Sequence, residues 1–252
     1  MEKKSVNLGF LSNNALKIIA AIAMVCDHLG VLIFPNLIFL RIIGRLAFPI
    51  FAFLIAEGAK HTRNKLRHLI VFSSFAAVIQ LCYFIFKPSD EMNTLVTFTL
   101  SLLMIYALDA LKAAIFASTP SKKLIFIRLL LFGGSIALAF ALDNLVDLDY
   151  GLSGALLPLF PSLFNAPKSE STPSIIKKAD NLLVRIGATA LGIIALSCDY
   201  GGAQFYSLFA IPILLLYSEK RGKLKMKYFF YVFYPLHLVI LYGIAILIRY
   251  LR

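Results

Sequence analysis

Two histidines, two arginines and two acids stand inside stretches that are otherwise hydrocarbon. Asp27 and His28 interrupt the apolar run from Ala15 to Phe34, Arg41, Arg45 and Glu57 punctuate the next, and His237 lies well inside the last. A charge at the centre of a bilayer costs about 2.5–3.5 kcal/mol even on the most lenient insertion scale. Ionisable groups in such runs therefore face a protein interior or a wet cavity, and they mark function. Imidazole exchanges protons near neutral pH, and guanidinium holds anionic oxygen in a rigid fork. A pocket containing both can run a group transfer that needs a proton removed, or it can relay protons or ions across the slab. Residue types alone leave those two open. Each group also has a structural reading: an Asp27–arginine pair as a clamp on helix register, and His237 bonded to a carbonyl of a neighbouring helix. No metal site is expected, because the intramembrane set lacks one-turn ligand spacing along a helix. No serine sits in a nucleophile-elbow context, and no glycine-rich phosphate loop is present.

The elements that must position these groups are membrane helices. The 252-residue chain is 60% hydrophobic and 15% charged, with mean hydropathy +0.84. A soluble domain is nearer half apolar and a quarter charged. Long apolar runs recur along the whole length, each close to the roughly 17–25 residues that a helix needs to cross hydrocarbon. They are continuous rather than alternating, which excludes a transmembrane β-barrel. We expect an all-α polytopic bundle of about nine spans filling residues 1–252 as one integral membrane domain. The spans are 15–34, 38–57, 69–86, 94–116, 124–142, 151–164, 182–198, 203–217 and 228–248. The sixth and eighth are short enough to be tilted, half-length or re-entrant. Residues 165–181, rich in Ser, Pro and Lys, read as a flexible loop.

Charge sets the orientation. The net charge is +12, yet the basic residues sit in short clusters between spans rather than in one stripe, so nucleic acid is not a partner. Most of the 25 lysines and arginines fall on one side of a nine-span chain, in clusters such as Lys60–Arg67, Lys122–Arg128 and Lys220–Lys227. The other side collects Glu91, Asp143, Asp147, Asp149 and Asp199. The positive-inside rule then places the N-terminus in the cytoplasm. The basic, then apolar start resembles a signal peptide but lacks a small-residue cleavage site, so a retained first helix is expected. Cys26, Cys82 and Cys198 lie in or beside apolar runs without framework spacing and read as buried thiols rather than a disulfide scaffold. His61 and His68 fall in the basic loop and read as solvated. Tyr228, Phe229, Phe230 and Tyr231 read as an interfacial aromatic belt.

Depth then brings the site together. His28 lies 13 residues beyond Ala15, ~20 Å into the first span, and Arg41 and Arg45 occupy the outer half of the returning span. The two arginines share a face, and Gly44 lets another helix approach closely. Pro49 and Pro235 should bend their helices. Asp27 and His28 are adjacent and diverge by about 100°, so Asp27 pairs with Arg41 or Arg45 rather than orienting His28.

The blocks LKIIAAIAMVCDHLGVLIFP, LRIIGRLAFPIFAFLIAEGAKHTRN, NTLVTFTLSLL from Asn93, DYGLSGALL from Asp149, QFYSLFAIPILLLYSEKRGK from Gln204 and YFFYVFYPLHLVILYGI span nearly the whole chain. In combination they resemble the TraX family, named for a conjugation protein that N-acetylates pilin at its N-terminus. The first two spans also resemble, more remotely, membrane acyltransferases with a functional histidine late in a first apolar helix. The resemblance implies an integral membrane acyltransferase of the bacterial inner membrane. It would carry acetyl from acetyl-CoA, or another acyl-CoA, to a peptide, amine or sugar acceptor. It makes His28, Asp27, Arg45 and His237 the catalytic candidates, and Arg41, Glu57, Asn93 and Tyr234 the candidates for holding substrate or acyl-CoA. The alternative is a small transporter or channel using the same His, Asp and Arg groups as a relay.

Overall fold

The structure, a computed structural model, describes residues 9–86, 91–222, 226 and 229–251, with 86 and 229–231 as backbone only. Lys3, Lys4, Lys87, Asp90, Lys223, Lys225, Lys227, Arg252 and Tyr228 lie outside the described residues, as do the side chains of the rest of the expected aromatic belt. The elements, in order, are α1 (Asn13–Leu32), α2 (Ile38–Gly44), α3 (Ala47–His61), α4 (Lys65–Phe86), β1 (Glu91–Met92), α5 (Thr94–Ile115) and α6 (Lys122–Leu145). There follow β2 (Asp147–Leu148), α7 (Gly151–Leu156), α8 (Leu159–Ser162), α9 (Ser174–Ala179) and α10 (Leu182–Tyr200). A 3-10 helix (Gly202–Phe209), α11 (Ala210–Leu215) and α12 (Phe229–Tyr250) complete the described chain.

Among the described residues, seven helical segments are long and apolar enough to cross a membrane, with α2 and α3 counted together as Ile38–His61. The expected spans at 151–164 and 203–217 are helical but broken. Pro158 and Pro161 divide the first of these into α7 and α8. The second starts from Gly201 and Gly202, both at positive φ, as a 3-10 turn before α11. Proline has no N–H for the helical ladder, and positive φ suits only glycine cheaply.

The described residues divide into two compact units, one formed by residues up to Leu54 with those from Tyr200 onward, the other by Ile55–Asp199. In the first unit, α1 begins at Ser12, whose hydroxyl accepts the Ala15 N–H at 3.2 Å, a typical N-cap. The segment before α1 is tied to the one after α11: Leu11 N–H donates to the Leu216 carbonyl and Ser218 N–H to the Leu11 carbonyl, both at 2.8 Å. Leu16, Ala20, Phe48, Ile50, Phe53 and Leu214 form the buried apolar interior of this unit.

The second unit is built around α5, whose buried face carries Leu102, Met104, Ile105 and Leu108 against α6, α7 and β2. Three contacts register the α7–α8 segment along it. Thr97 Oγ1 donates to the Asp149 carbonyl at 2.8 Å, and Ser101 Oγ to the Ala155 carbonyl at 2.7 Å. Lys112 Nζ donates to the carbonyls of Ser162, Leu163 and Asn165 at 2.8, 2.7 and 3.1 Å. A single ammonium thus satisfies three carbonyls that the end of a short helix leaves open. By contrast α4 and α6 bury only 17% and 11% of their apolar windows, so their outer faces are apolar side chains that hydrocarbon can solvate.

Three expectations change here. Cys82 and Cys198 are exposed on outer helix faces rather than buried, and only Cys26 is half-buried; all three are free thiols. His68 is not a solvated loop residue, because α4 starts at Lys65, with the Asn64 side chain accepting the Arg67 N–H at 2.9 Å. That extra turn swings His68 Nδ1 to 2.5 Å from the Tyr106 hydroxyl. The 165–181 loop carries α9, and Asp180 ties its ends: it pairs with Lys60 at 2.5 Å and accepts the Ala166 N–H at 3.1 Å.

Candidate functional site

In the first unit α1 lies against α2, and the contact is set by Gly44. A Cβ there would sit 2.4 Å from the Asp27 Cβ and 2.7 Å from its Cα. Only hydrogen leaves room for that approach. It brings Arg41 to Asp27, Nη1 to Oδ2 at 2.7 Å. The other Asp27 oxygen, Oδ1, is buried with no hydrogen-bond partner among the described residues. Gly44→Ala forces α1 and α2 apart against backbone atoms. We expect it to cost about 1–3 kcal/mol of stability, read as a lower melting temperature in detergent, with Gly44→Ser no better.

Pro49 acts one turn upstream of its own position. It sits in the first turn of α3, where its missing N–H breaks nothing within that helix. It cannot donate to the carbonyl four residues back, which is Arg45's, so the helix breaks between α2 and α3. The freed Arg45 carbonyl accepts the Ser207 hydroxyl at 3.0 Å. Gln204 Nε2 donates to Ser207 Oγ at 2.7 Å, and Arg45 Nη1 donates to Gln204 Oε1 at 3.1 Å. Side chain and carbonyl of Arg45 are thus held by one closed ring of hydrogen bonds, which fixes the guanidinium where a long flexible side chain would otherwise wander. Gln204 and Ser207 were not among the sequence candidates. Their signal was present as two polar residues in an apolar run, on a segment too short for an ordinary span.

α12 brings His237 to α1. The imidazole rings of His28 and His237 meet edge to face with centroids 5.1 Å apart and planes at 73°. His28 Nδ1–H donates to the Met24 carbonyl at 2.8 Å, and His237 Nδ1–H to the Phe233 carbonyl at 3.1 Å. A carbonyl only accepts, so each Nδ1 carries a proton, and in the neutral form of each ring the lone pair is at Nε2. His237 is buried, and its Nε2 has no hydrogen-bond partner among the described residues. The carbonyl that His237 bonds is therefore on its own helix, not on a neighbouring one as expected. Phe233 stacks on the His237 ring at 5.2 Å, and Tyr234 meets it edge-on at 5.7 Å.

One unit therefore supplies His28, Asp27, Arg41, Arg45, His237 and Tyr234. Glu57 and Asn93 belong to the other unit and have structural surroundings there. Glu57 is buried, ion-paired to Arg185, with His61 Nε2 at 3.8 Å. Asn93 is buried as the N-cap of α5: its Oδ1 accepts the Leu95 N–H at 2.9 Å, and its amide donates to Gln80 Oε1 at 2.8 Å. Arg185, 2% exposed, is a further buried charge, inside the expected span 182–198 but not among the site candidates. Its position four residues into an apolar run was the available signal. Among the described residues, no group of three or more His, Cys, Asp or Glu gathers as a metal set.

The TraX protein family matches residues 12–245, which takes in every element that builds this site. The chain belongs to the TraX family. It is similar to a probable fimbrial assembly protein FimC, serogroup H1, of Dichelobacter nodosus, with 28% identity over 90% of this chain and 92% of that one. It is also 34% identical to an uncharacterized protein of Rickettsia prowazekii (strain Madrid E), over 36% of this chain and 35% of the other. No solved structure matches it. Its apolar helices and its family make this TraX protein a multi-pass membrane protein.

Proposed function

We propose that this TraX protein is an integral membrane acyltransferase that moves an acyl group, most simply acetyl, from acyl-CoA to an amino group. The observation that carries the proposal is the His28–His237 pair, with both Nδ1–H groups committed to backbone and Nε2 of His237 buried and open. The reaction needs a base. The acceptor nitrogen attacks the thioester carbonyl carbon, a C–N bond forms, and the C–S bond breaks with its electron pair leaving on sulfur. His28 Nε2 takes the proton lost by the amine and later returns it to the thiolate, with His237 Nε2 as a second resting place. Arg45, held by Gln204, is the donor suited to negative charge growing on the carbonyl oxygen. Arg41, neutralised by Asp27, holds α1 and α2 in register around the pair.

The fimbrial name of the Dichelobacter relative supports a place in pilus or fimbrial assembly, with a filament-subunit amine as acceptor. The assay is purified protein with radiolabelled acetyl-CoA and a panel of amines, including an N-terminal pilin-type peptide. Transfer in the wild type supports the reading. Proton flux through vesicles with no acyl-CoA binding refutes it in favour of a relay.

The same reading has nine crossings in the bacterial inner membrane with the N-terminus cytoplasmic. Its support is the three-point registration of the α7–α8 segment along α5, which carries the chain from Asp149 beside Thr97 to Asn165 beside Lys112. In a cysteine-free background, Asp147→Cys should react with an impermeant thiol reagent on intact cells, and Ser171→Cys only after permeabilisation. Labelling of both from one side rules out a sixth crossing.

A further inference from the structure

The α5–α6 hairpin contains an arginine that no described residue pairs with. Arg128 is half-buried on α6, six residues or ~9 Å in from Lys122, and it makes no ion pair or hydrogen bond with any described residue. It lines a groove of about 420 Å³ formed by α5 and α6. That volume lies within the roughly 300–1,000 Å³ of ligand clefts. The walls are almost wholly apolar: Leu103, Ala107 and Ala110 from α5, and Leu131, Gly134 and Leu138 from α6. The small residues make the trough, and a Cβ at Gly134 would meet nothing within 4 Å. Tyr106 also lines the groove, its hydroxyl already bonded to His68.

An arginine without a counter-ion within a membrane-spanning helix is expected to find an anion or to reach for the interface. Here an apolar trough continues from it along the helices, and exposed Lys122 and Lys123 stand at the same helix end. A ligand complementary to this arrangement has a negative head and a long hydrocarbon tail. Basic residues just outside a span, with an inter-helical basic pocket, are the features that recognise anionic headgroups.

We propose that the α5–α6 groove is a binding site for an anionic phospholipid, with the phosphate on Arg128 and one acyl chain along Leu103, Leu131 and Leu138. The site is separate from the histidine pair and does not depend on the acyl-transfer reading.

The test is native mass spectrometry of protein drawn from nanodiscs holding equal amounts of phosphatidylglycerol and phosphatidylcholine. Wild type should retain phosphatidylglycerol over phosphatidylcholine by roughly fivefold, the effect expected of one charge–headgroup contact. Arg128→Lys should keep that preference and Arg128→Gln should lose it. Gly134→Leu, which fills the trough with its own side chain, should remove bound lipid of both kinds without lowering the melting temperature. Equal retention of the two lipids by wild type overturns the proposal. So does a preference that survives Arg128→Gln, or a protein dimer that occludes the groove and carries no lipid.

Discussion

His28→Ala is expected to lower acyl transfer by roughly 10²–10⁴-fold, the usual contribution of a positioned general base. The residue stands late in α1 with its Nδ1–H on the Met24 carbonyl and its ring edge-to-face with His237. Alanine removes both the proton acceptor and the hydrogen bond, so a second variant must separate them. His28→Asn offers an amide N–H to the same carbonyl but no basic nitrogen. A chemical role predicts that His28→Asn is as inactive as His28→Ala while eluting and melting like wild type. Recovery of transfer in His28→Asn would make the residue a structural support and remove its catalytic assignment.

The largest stability effect is expected at Arg185. Its guanidinium is paired with the carboxylate of Glu57, and the two side chains are 2% and 3% exposed. Removing one partner of a buried ion pair leaves the other charged and desolvated, which costs about 3–5 kcal/mol. Arg185→Met should therefore lower the melting temperature in detergent sharply. Adding Glu57→Gln should restore most of the loss, because the stranded charge is gone and a neutral amide is cheaper to bury. A double variant no better than Arg185→Met would show that the guanidinium acts through packing or through Asp180, 3.9 Å from its Nε, rather than through Glu57.

Much of the candidate site was legible from the sequence because the bilayer makes polar groups conspicuous. Against a hydrocarbon background, Asp27, His28, Arg41, Arg45 and His237 need no context to be noticed, and helix rise alone gives their approximate depth. Gly44 between the two arginines likewise signalled the close approach that the Asp27–Arg41 pair uses. Residues nearer span ends were harder. His68 lies within the first turn of α4, where a boundary error of a few residues turns a packed group into a loop group, and Arg185 stands in the first turn of α10, beside a basic loop that hides one more cation. Cys82 and Cys198 show the complementary failure: hydropathy locates a residue in a span but does not say which face it occupies.

The sequence by itself determined that the chain is helical and membrane-embedded, and where along their helices Asp27, His28, Arg41, Arg45 and His237 stand. Those properties depend on local composition and on a constant rise per residue. The tertiary structure alone decided the partners. It gave Asp27 to Arg41 and Arg45 to Gln204, it set His237 against His28, and it turned Asn93 from a binding candidate into a helix cap. Pairing depends on which faces meet and on where a proline such as Pro49 releases a carbonyl, and those are set by packing between segments as distant in the chain as His28 and His237.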